Sequence, residues 1–236
     1  MFTLSIFKEK MRFSIPILML FGIVLIGCKQ HKKEEVPAKV EQSIMEKIAH
    51  ANGFEHWKYV KELKFTFNVD RDSSHFERSW NWNISKNEVT MMSANDTMTY
   101  KRSQIDSTND KANSGFINDK FWLLAPFNLV WDKDNYTFEH NEAQVAPISG
   151  KNMQKLTIVY GSEGGYTPGD AYDFYFEGDY MLKEWAFRKA NQPEVSLATT
   201  WEAYLNLEGV KIAQNHVNET GTRWYFTGIE LKSKKP

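Results

Sequence analysis

The feature that most restricts this chain is a run of short alternating segments, separated by turn residues, with no helical pattern between most of them. Leu63 to Val69 places Leu63, Phe65, Phe67 and Val69 on one face. Phe76 to Ile84 sets Phe76, Arg78, Trp80, Trp82 and Ile84 opposite Glu77, Ser79, Asn81 and Asn83, with Arg78 the one charge on the apolar side. Further strands are predicted over 88–92, 97–102, 136–142, 153–160, 172–177, 181–188, 199–207, 211–217 and 224–231. Asn95-Asp96, Gly178-Asp179, Glu208-Gly209 and Thr220-Gly221 are turn signals between neighbouring segments. This gives about 10–11 strands at hairpin spacing, which excludes the strand–helix alternation of a parallel α/β sheet. No fixed period recurs, so a propeller or solenoid is disfavoured. The expected fold is mainly β: a single curved antiparallel sheet forming an open half-barrel.

Two segments depart from the pattern. Glu41 to Asn52 carries Ile44, Met45, Ile48, Ala49 and Ala51 at helical spacing, with Gly53 as the stop. After a polar loop over 103–114, Gly115 to Asp132 is a non-β insert with an apolar core from Phe121 to Asp132. Pro126 is expected to divide it into a short helix and an extended piece.

The N-terminus reads as an address. Lys8, Lys10 and Arg12 precede an almost wholly apolar run of 14 residues, Phe13 to Ile26. A membrane span needs about 20 residues, so this is a signal-peptide core, and either Met1 or Met11 serves as its start. It ends in Leu25-Ile26-Gly27-Cys28, which resembles the bacterial lipobox: the cysteine receives lipid and becomes the mature N-terminus. Cys28 is the only cysteine, so disulfide frameworks and multi-cysteine zinc sites are excluded. Two or three palmitate-type chains on Cys28 would give a stable anchor. Lys29 lacks the acidic inner-membrane retention signal, which favours the outer membrane. The resulting organisation is a signal over 1–27, a polar tether over 28–39 and a domain over 40–236. Loss of 1–27 removes three basic residues and one acid, leaving a net charge of −3. That balance does not suit a nucleic-acid binder.

Ile48-Ala49-His50-Ala51-Asn52-Gly53, through Trp57 to Leu63-Lys64-Phe65, resembles the opening of outer-membrane lipoprotein-sorting proteins. The insert Phe121-Trp122 to Trp131-Asp132, Thr167-Pro168-Gly169-Asp170-Ala171-Tyr172 and Lys183-Glu184-Trp185 resemble a group of lipoproteins from Bacteroidota-type bacteria. The resemblance covers roughly 44–232. It implies a Lol-like half-barrel that wraps a helix and encloses an apolar cavity for acyl chains or other hydrophobic ligands. The soluble carriers of that superfamily have no anchor, whereas this chain keeps Cys28, which favours a fixed acceptor or sensor over a shuttle.

On this reading Phe65, Phe67, Trp80 and Trp82, with Trp122, Phe127 and Trp131 of the insert, are candidate cavity residues. The same aromatics equally suit a plug of packed core. Gly161 to Asp170 is a hairpin loop by default; as a gate over the cavity it would act through Tyr166 and Asp170. It lacks the lysine of a phosphate loop and the acids of a calcium loop. His50 and His56 are six apart, and no HExxH occurs, so neither a metal nor a cofactor is expected. No Gly-x-Ser-x-Gly elbow is present, and the acid pairs Asp132/Asp134 and Asp170/Asp173 are the remaining catalytic candidates, so a non-enzyme is expected. A hydrophobic-ligand lipoprotein is thus weighed against an envelope scaffold with a solid core. A third reading is a glycan binder using Trp57, Trp80, Trp82, Trp185, Trp201 and Trp224. No protein partner is indicated.

Overall fold

A computed structural model describes residues 41–94, 96–163 and 167–234. The signal, Cys28 and the tether lie outside the described residues, as do Asn95 of the expected β-turn and Tyr166 of the expected gate. Residues Glu41–Pro236 form one compact unit. Every core residue from Ile48 to Phe226 falls inside it, so this unit carries its own hydrophobic core.

The chain opens with α1 (Ile44–Ala51), started by a capping box in which Ser43 and Glu46 each bond the other's backbone N–H. Gly53 ends it at φ 84°, a left-handed conformation that glycine adopts without strain. A Cβ there would also stand 1.9 Å from the Gly209 carbonyl oxygen. The short α2 (Phe54–Trp57) follows, then β1 (Val60–Arg71), β2 (Ser74–Asn83), β3 (Glu88–Met92), β4 (Thr97–Lys101), α3 (Asp110–Trp131), β5 (Tyr136–Val145) and β6 (Asn152–Tyr160). The remaining strands are β7 (Ala171–Phe176), β8 (Leu182–Arg188), β9 (Leu197–Thr200), β10 (Glu202–Leu207), β11 (Val210–Val217) and β12 (Arg223–Ser233).

All pairings are antiparallel, and the assembly is an open half-barrel as expected. It differs from the expectation in one respect: the strands form two sheets. One has the order β10-β11-β12-β1-β2-β3-β4 and the other β5-β6-β7-β8-β9. The division falls at Trp201, inside what the alternation presents as a single strand over 199–207. Trp201 is buried, its N–H bonds the Lys183 carbonyl at 2.7 Å, and Ala203 follows at φ 56°. The chain therefore leaves β8 and turns onto β11. Side chains tie the seam: Val217 N–H donates to Thr200 Oγ1 at 3.0 Å, and His216 Nδ1 to the Thr200 carbonyl at 3.3 Å.

The insert is also corrected. It is helical from Asp110, and Pro126 does not turn it extended. Leu124 leaves helical geometry (φ −127°, ψ 26°), and the helix resumes around Pro126. A proline removes one backbone donor and crowds the preceding turn, which kinks a helix rather than ending it when packing holds both halves. Both halves are held here. Phe116 packs against Trp80 and Trp82, each ring centre 5.4 Å away, and Phe127 against Phe54 at 5.4 Å and Trp57 at 5.5 Å.

A polar clamp fixes the first half of α3 to β2. Asp119, fully buried, accepts from Arg78 Nε at 2.9 Å, from Arg78 Nη2 at 2.8 Å and from Trp80 Nε1 at 2.7 Å. Burial pushes the Asp119 carboxyl above its usual range, opposed by the Arg78 guanidinium. Gly115 makes room for this pair, since a Cβ would lie 2.5 Å from Arg78 Nη1. The charge on the apolar face of β2 is thus an anchor for the helix.

Candidate functional site

With α3 packed inside the half-barrel, the interior is only partly filled. Ala112, Phe116, Asp119 and Leu123 of α3, at helical spacing, are buried in the core. On another stripe, Ser114, Ile117, Asn118 and Phe121 border an open cavity of about 1130 Å³. Beyond the kink, Asn128 and then Asp132 continue the same wall. Apolar cover comes from Phe67 of β1, Tyr172 of β7, Trp185 and Phe187 of β8, Leu197 of β9 and Trp224 of β12. The volume lies slightly above the usual range of about 300–1,000 Å³ for small-molecule sites, and aromatic walls with a few polar groups are their usual composition.

The aromatic wall is held in register by its own contacts. Trp122 stacks on Trp224 at 5.4 Å with planes 5° apart, and meets Trp185 at 4.7 Å. Phe121 lies 4.8 Å from Tyr172, and Tyr172 lies 5.7 Å from Trp185. Behind Trp122, His216 is fully buried between Trp201 at 4.0 Å and Phe226 at 6.0 Å. Burial holds the His216 imidazole down at about 3, so it is neutral, with its Nδ1 proton on the Thr200 carbonyl.

The polar part of the wall contains Arg102, Lys120, Asn128, Asp132 and Tyr160. The half-buried Lys120 donates from Nζ to Asn128 Oδ1 at 2.8 Å and stands 5.0 Å from the Trp131 ring centre. Burial pushes its amine down to about 8; Asp132 opposes this and Arg102 adds to it. Tyr160 donates its hydroxyl to Asp132 Oδ2 at 3.1 Å, and burial raises the Tyr160 hydroxyl well above its ordinary value. The Arg102 guanidinium lies over Phe116 at 5.3 Å and Trp82 at 5.8 Å. Asp134 and Glu163 stand at the exposed rim.

Of the candidate residues, Phe67 and Trp122 line the cavity. Phe65, Trp80, Trp82, Phe127 and Trp131 do not; the first four are buried in packed core and Trp131 packs against it. Phe65 meets Phe226 at 5.8 Å, while Trp80 and Trp82 are covered by Phe116. The alternation gives the inner face, but α3 covers its Trp80–Trp82 part and leaves Phe67 open to the cavity beside β7, β8 and β12. Asp170 acts as an anchor: its Oδ1 accepts the Ala190 N–H at 2.7 Å and its carbonyl accepts the Tyr160 N–H at 3.0 Å. Glu163 and Thr167 of the same loop do reach the cavity. Among the lining residues outside the cavity candidates are Phe121, Tyr172, Trp185, Phe187, Trp224 and Lys120. Phe121 opens the apolar insert, and Lys120 is the cation directly preceding that run.

The proposed acid pairs have structural partners. Asp173 is buried with Arg188 Nε at 2.9 Å and Thr157 Oγ1 at 2.6 Å. Asp132 holds Tyr160. Among the tryptophans offered for sugar stacking, Trp80, Trp82, Trp185, Trp201 and Trp224 are buried, so they form no surface platform. Among the described residues no group of three or more metal-ligating side chains comes together, and no helix is long and apolar enough to cross a membrane.

No family model and no curated protein matches the sequence. Among solved structures, the chain is similar to a LolA superfamily protein from Nitrosomonas europaea, at 10% identity and a TM-score of 0.49, over 82% of this chain and 94% of that one. It is also similar to a putative outer membrane lipoprotein-sorting protein domain from Vibrio parahaemolyticus, at 11% identity and a TM-score of 0.48, over 82% of this chain and 92% of that one. At these identities the likeness concerns the course of the chain, and no ligand or activity carries over from it.

Proposed function

We propose that the chain is a lipoprotein of the bacterial cell envelope, anchored in the outer membrane through lipid on Cys28, whose half-barrel binds an acyl chain or another hydrophobic ligand. The observation that carries the binding half of this reading is the open cavity of about 1130 Å³ walled by Phe67, Trp122, Tyr172, Trp185, Phe187 and Trp224. A scaffold protein with a solid core would have no use for such a volume. The anchoring half rests on the apolar run ending at Gly27-Cys28. A fixed anchor suits an acceptor or sensor of envelope lipid better than a diffusing carrier.

The test has two arms. Residues 41–236, purified without detergent, are examined by native mass spectrometry and their organic extract is analysed for lipid. A stoichiometric apolar species, lost on filling the cavity with Ile117→Trp, is expected. A protein that stays empty after incubation with fatty acids, phospholipids and lipopeptides would sink the binding half. Separately, cells labelled with a palmitate analogue should mark the full chain and not Cys28→Ala; equal labelling would remove the anchor.

A further inference from the structure

The polar groups of the cavity are unevenly matched. Elsewhere in the fold two half-buried cations hold buried carboxylates: Arg78 holds Asp119 and Arg188 holds Asp173. Lys120 is different. Among the described residues its ammonium contacts are neutral, Asn128 Oδ1 at 2.8 Å and the Trp131 ring. The carboxylate in electrostatic reach, Asp132, is engaged by the Tyr160 hydroxyl at 3.1 Å. Asp132 lends Lys120 some charge from a distance, but a cation drawn from water without a directly paired carboxylate gains further from one that makes contact. Lys120 also stands on the wall of the same open cavity as Phe121 and Trp122, the next two residues of α3. The low basicity of its amine is the electrostatic consequence of that position.

We propose that this cavity selects a long-chain carboxylate, a free fatty acid, whose single negative charge is taken by the Lys120 ammonium while its chain lies against Trp122, Trp185 and Trp224. The inference rests on the hydrophobic-ligand reading above and adds the chemistry of the head group. The wall and rim carry three carboxylates, Asp132, Asp134 and Glu163, against two cations, Lys120 and Arg102, a balance that favours a ligand with one negative charge over a dianionic phosphate. Asn128 fixes the ammonium without neutralising it, so the site is formed before the ligand arrives.

The experiment compares palmitate with hexadecanol, which has the same chain length and no charge, on residues 41–236 and on Lys120→Gln and Lys120→Arg. Affinities are read by calorimetry and native mass spectrometry, and folding of each variant by circular dichroism. The expected result is palmitate bound about tenfold or more tightly than hexadecanol. Lys120→Gln should abolish that preference, and Lys120→Arg should restore most of it. Equal binding of the two ligands, or a preference that survives Lys120→Gln, would overturn the head-group assignment alone. Binding of neither ligand would overturn the cavity reading, and this inference with it.

Discussion

Replacing His216 by phenylalanine is expected to flatten the acid side of the stability curve. His216 is fully buried behind the cavity wall, against Trp201 at 4.0 Å and Trp122 at 5.4 Å. Its Nδ1 bonds the Thr200 carbonyl, and among the described residues Nε2 has no partner, so a second proton would have nowhere to go. Burial holds the folded imidazole down at about 3, whereas an unfolded chain protonates near about 6.5. Above that unfolded value neither state takes up the proton, and His216 imposes no penalty. As pH falls from there towards about 3 the unfolded chain binds a proton that the folded one refuses, and stability drops by about 1.4 kcal/mol per unit. At about pH 4.5 the loss from this one group is about 3 kcal/mol relative to about pH 7.5, and any folded value below about 3.5 gives the same figure. Phenylalanine keeps an aromatic side chain, with a larger ring that cannot titrate. It loses one hydrogen bond, worth about 1 kcal/mol, and its larger ring costs about 1–3 kcal/mol of overpacking, but these offsets are the same at every pH and leave the slope as the readout. Urea unfolding of residues 41–236 at both pH values measures the difference. If parent and variant lose equal stability on acidification, the burial argument for His216 is wrong.

Other perturbations separate the remaining forces. Arg78→Met should destabilise by about 3–5 kcal/mol in urea melts, because it strands the buried Asp119 carboxylate; the double variant Arg78→Met, Asp119→Leu should be less destabilised than Arg78→Met alone, and a strictly additive pair would refute the coupling. Gly53→Ala combines φ 84° with a Cβ 1.9 Å from the Gly209 oxygen and should lose more than about 2 kcal/mol. Gly150→Ala, at φ 68° with nothing near its Cβ, should lose only about 1 kcal/mol, so equal losses in thermal melts would show that crowding is not the cause. Glu184→Leu removes the carboxylate that accepts the Ile148 N–H at 2.7 Å and the Ser149 N–H at 2.9 Å. It should speed amide exchange in the β5–β6 turn before that of the barrel strands, and unchanged exchange there would count against the cap.

Local pattern and global packing contributed differently. The inner faces of β1 and β2 are legible because a strand has a period of two, and Leu63, Phe65, Phe67, Trp80 and Trp82 are all buried as alternation requires. The helix over 44–51 is legible from its apolar stripe, and its stop from Gly53. The sequence also places Phe121 to Asp132 as an apolar insert in an otherwise β chain. Which of these aromatics face a cavity is not local information. It depends on how deeply α3 sits in the half-barrel, and that is set by Asp119 meeting Arg78 across 41 residues and Trp80 across 39. The same holds for Pro126. Its local effect is to break a helix, but packing of Phe116 and Phe127 on both sides of the kink keeps α3 continuous.

By itself, then, the sequence determined an antiparallel half-barrel with a helix at its start and a buried aromatic inner face, because hydrophobic period and turn chemistry act within a few residues. Only the tertiary structure decided that the sheet divides at Trp201, that α3 covers Trp80 and Trp82 while leaving Trp122 and Trp185 beside an open cavity, and that Lys120 lies in that cavity with neutral partners. Those outcomes depend on volumes and charges brought together from distant parts of the chain, and no local period encodes how much of an interior one helix will fill.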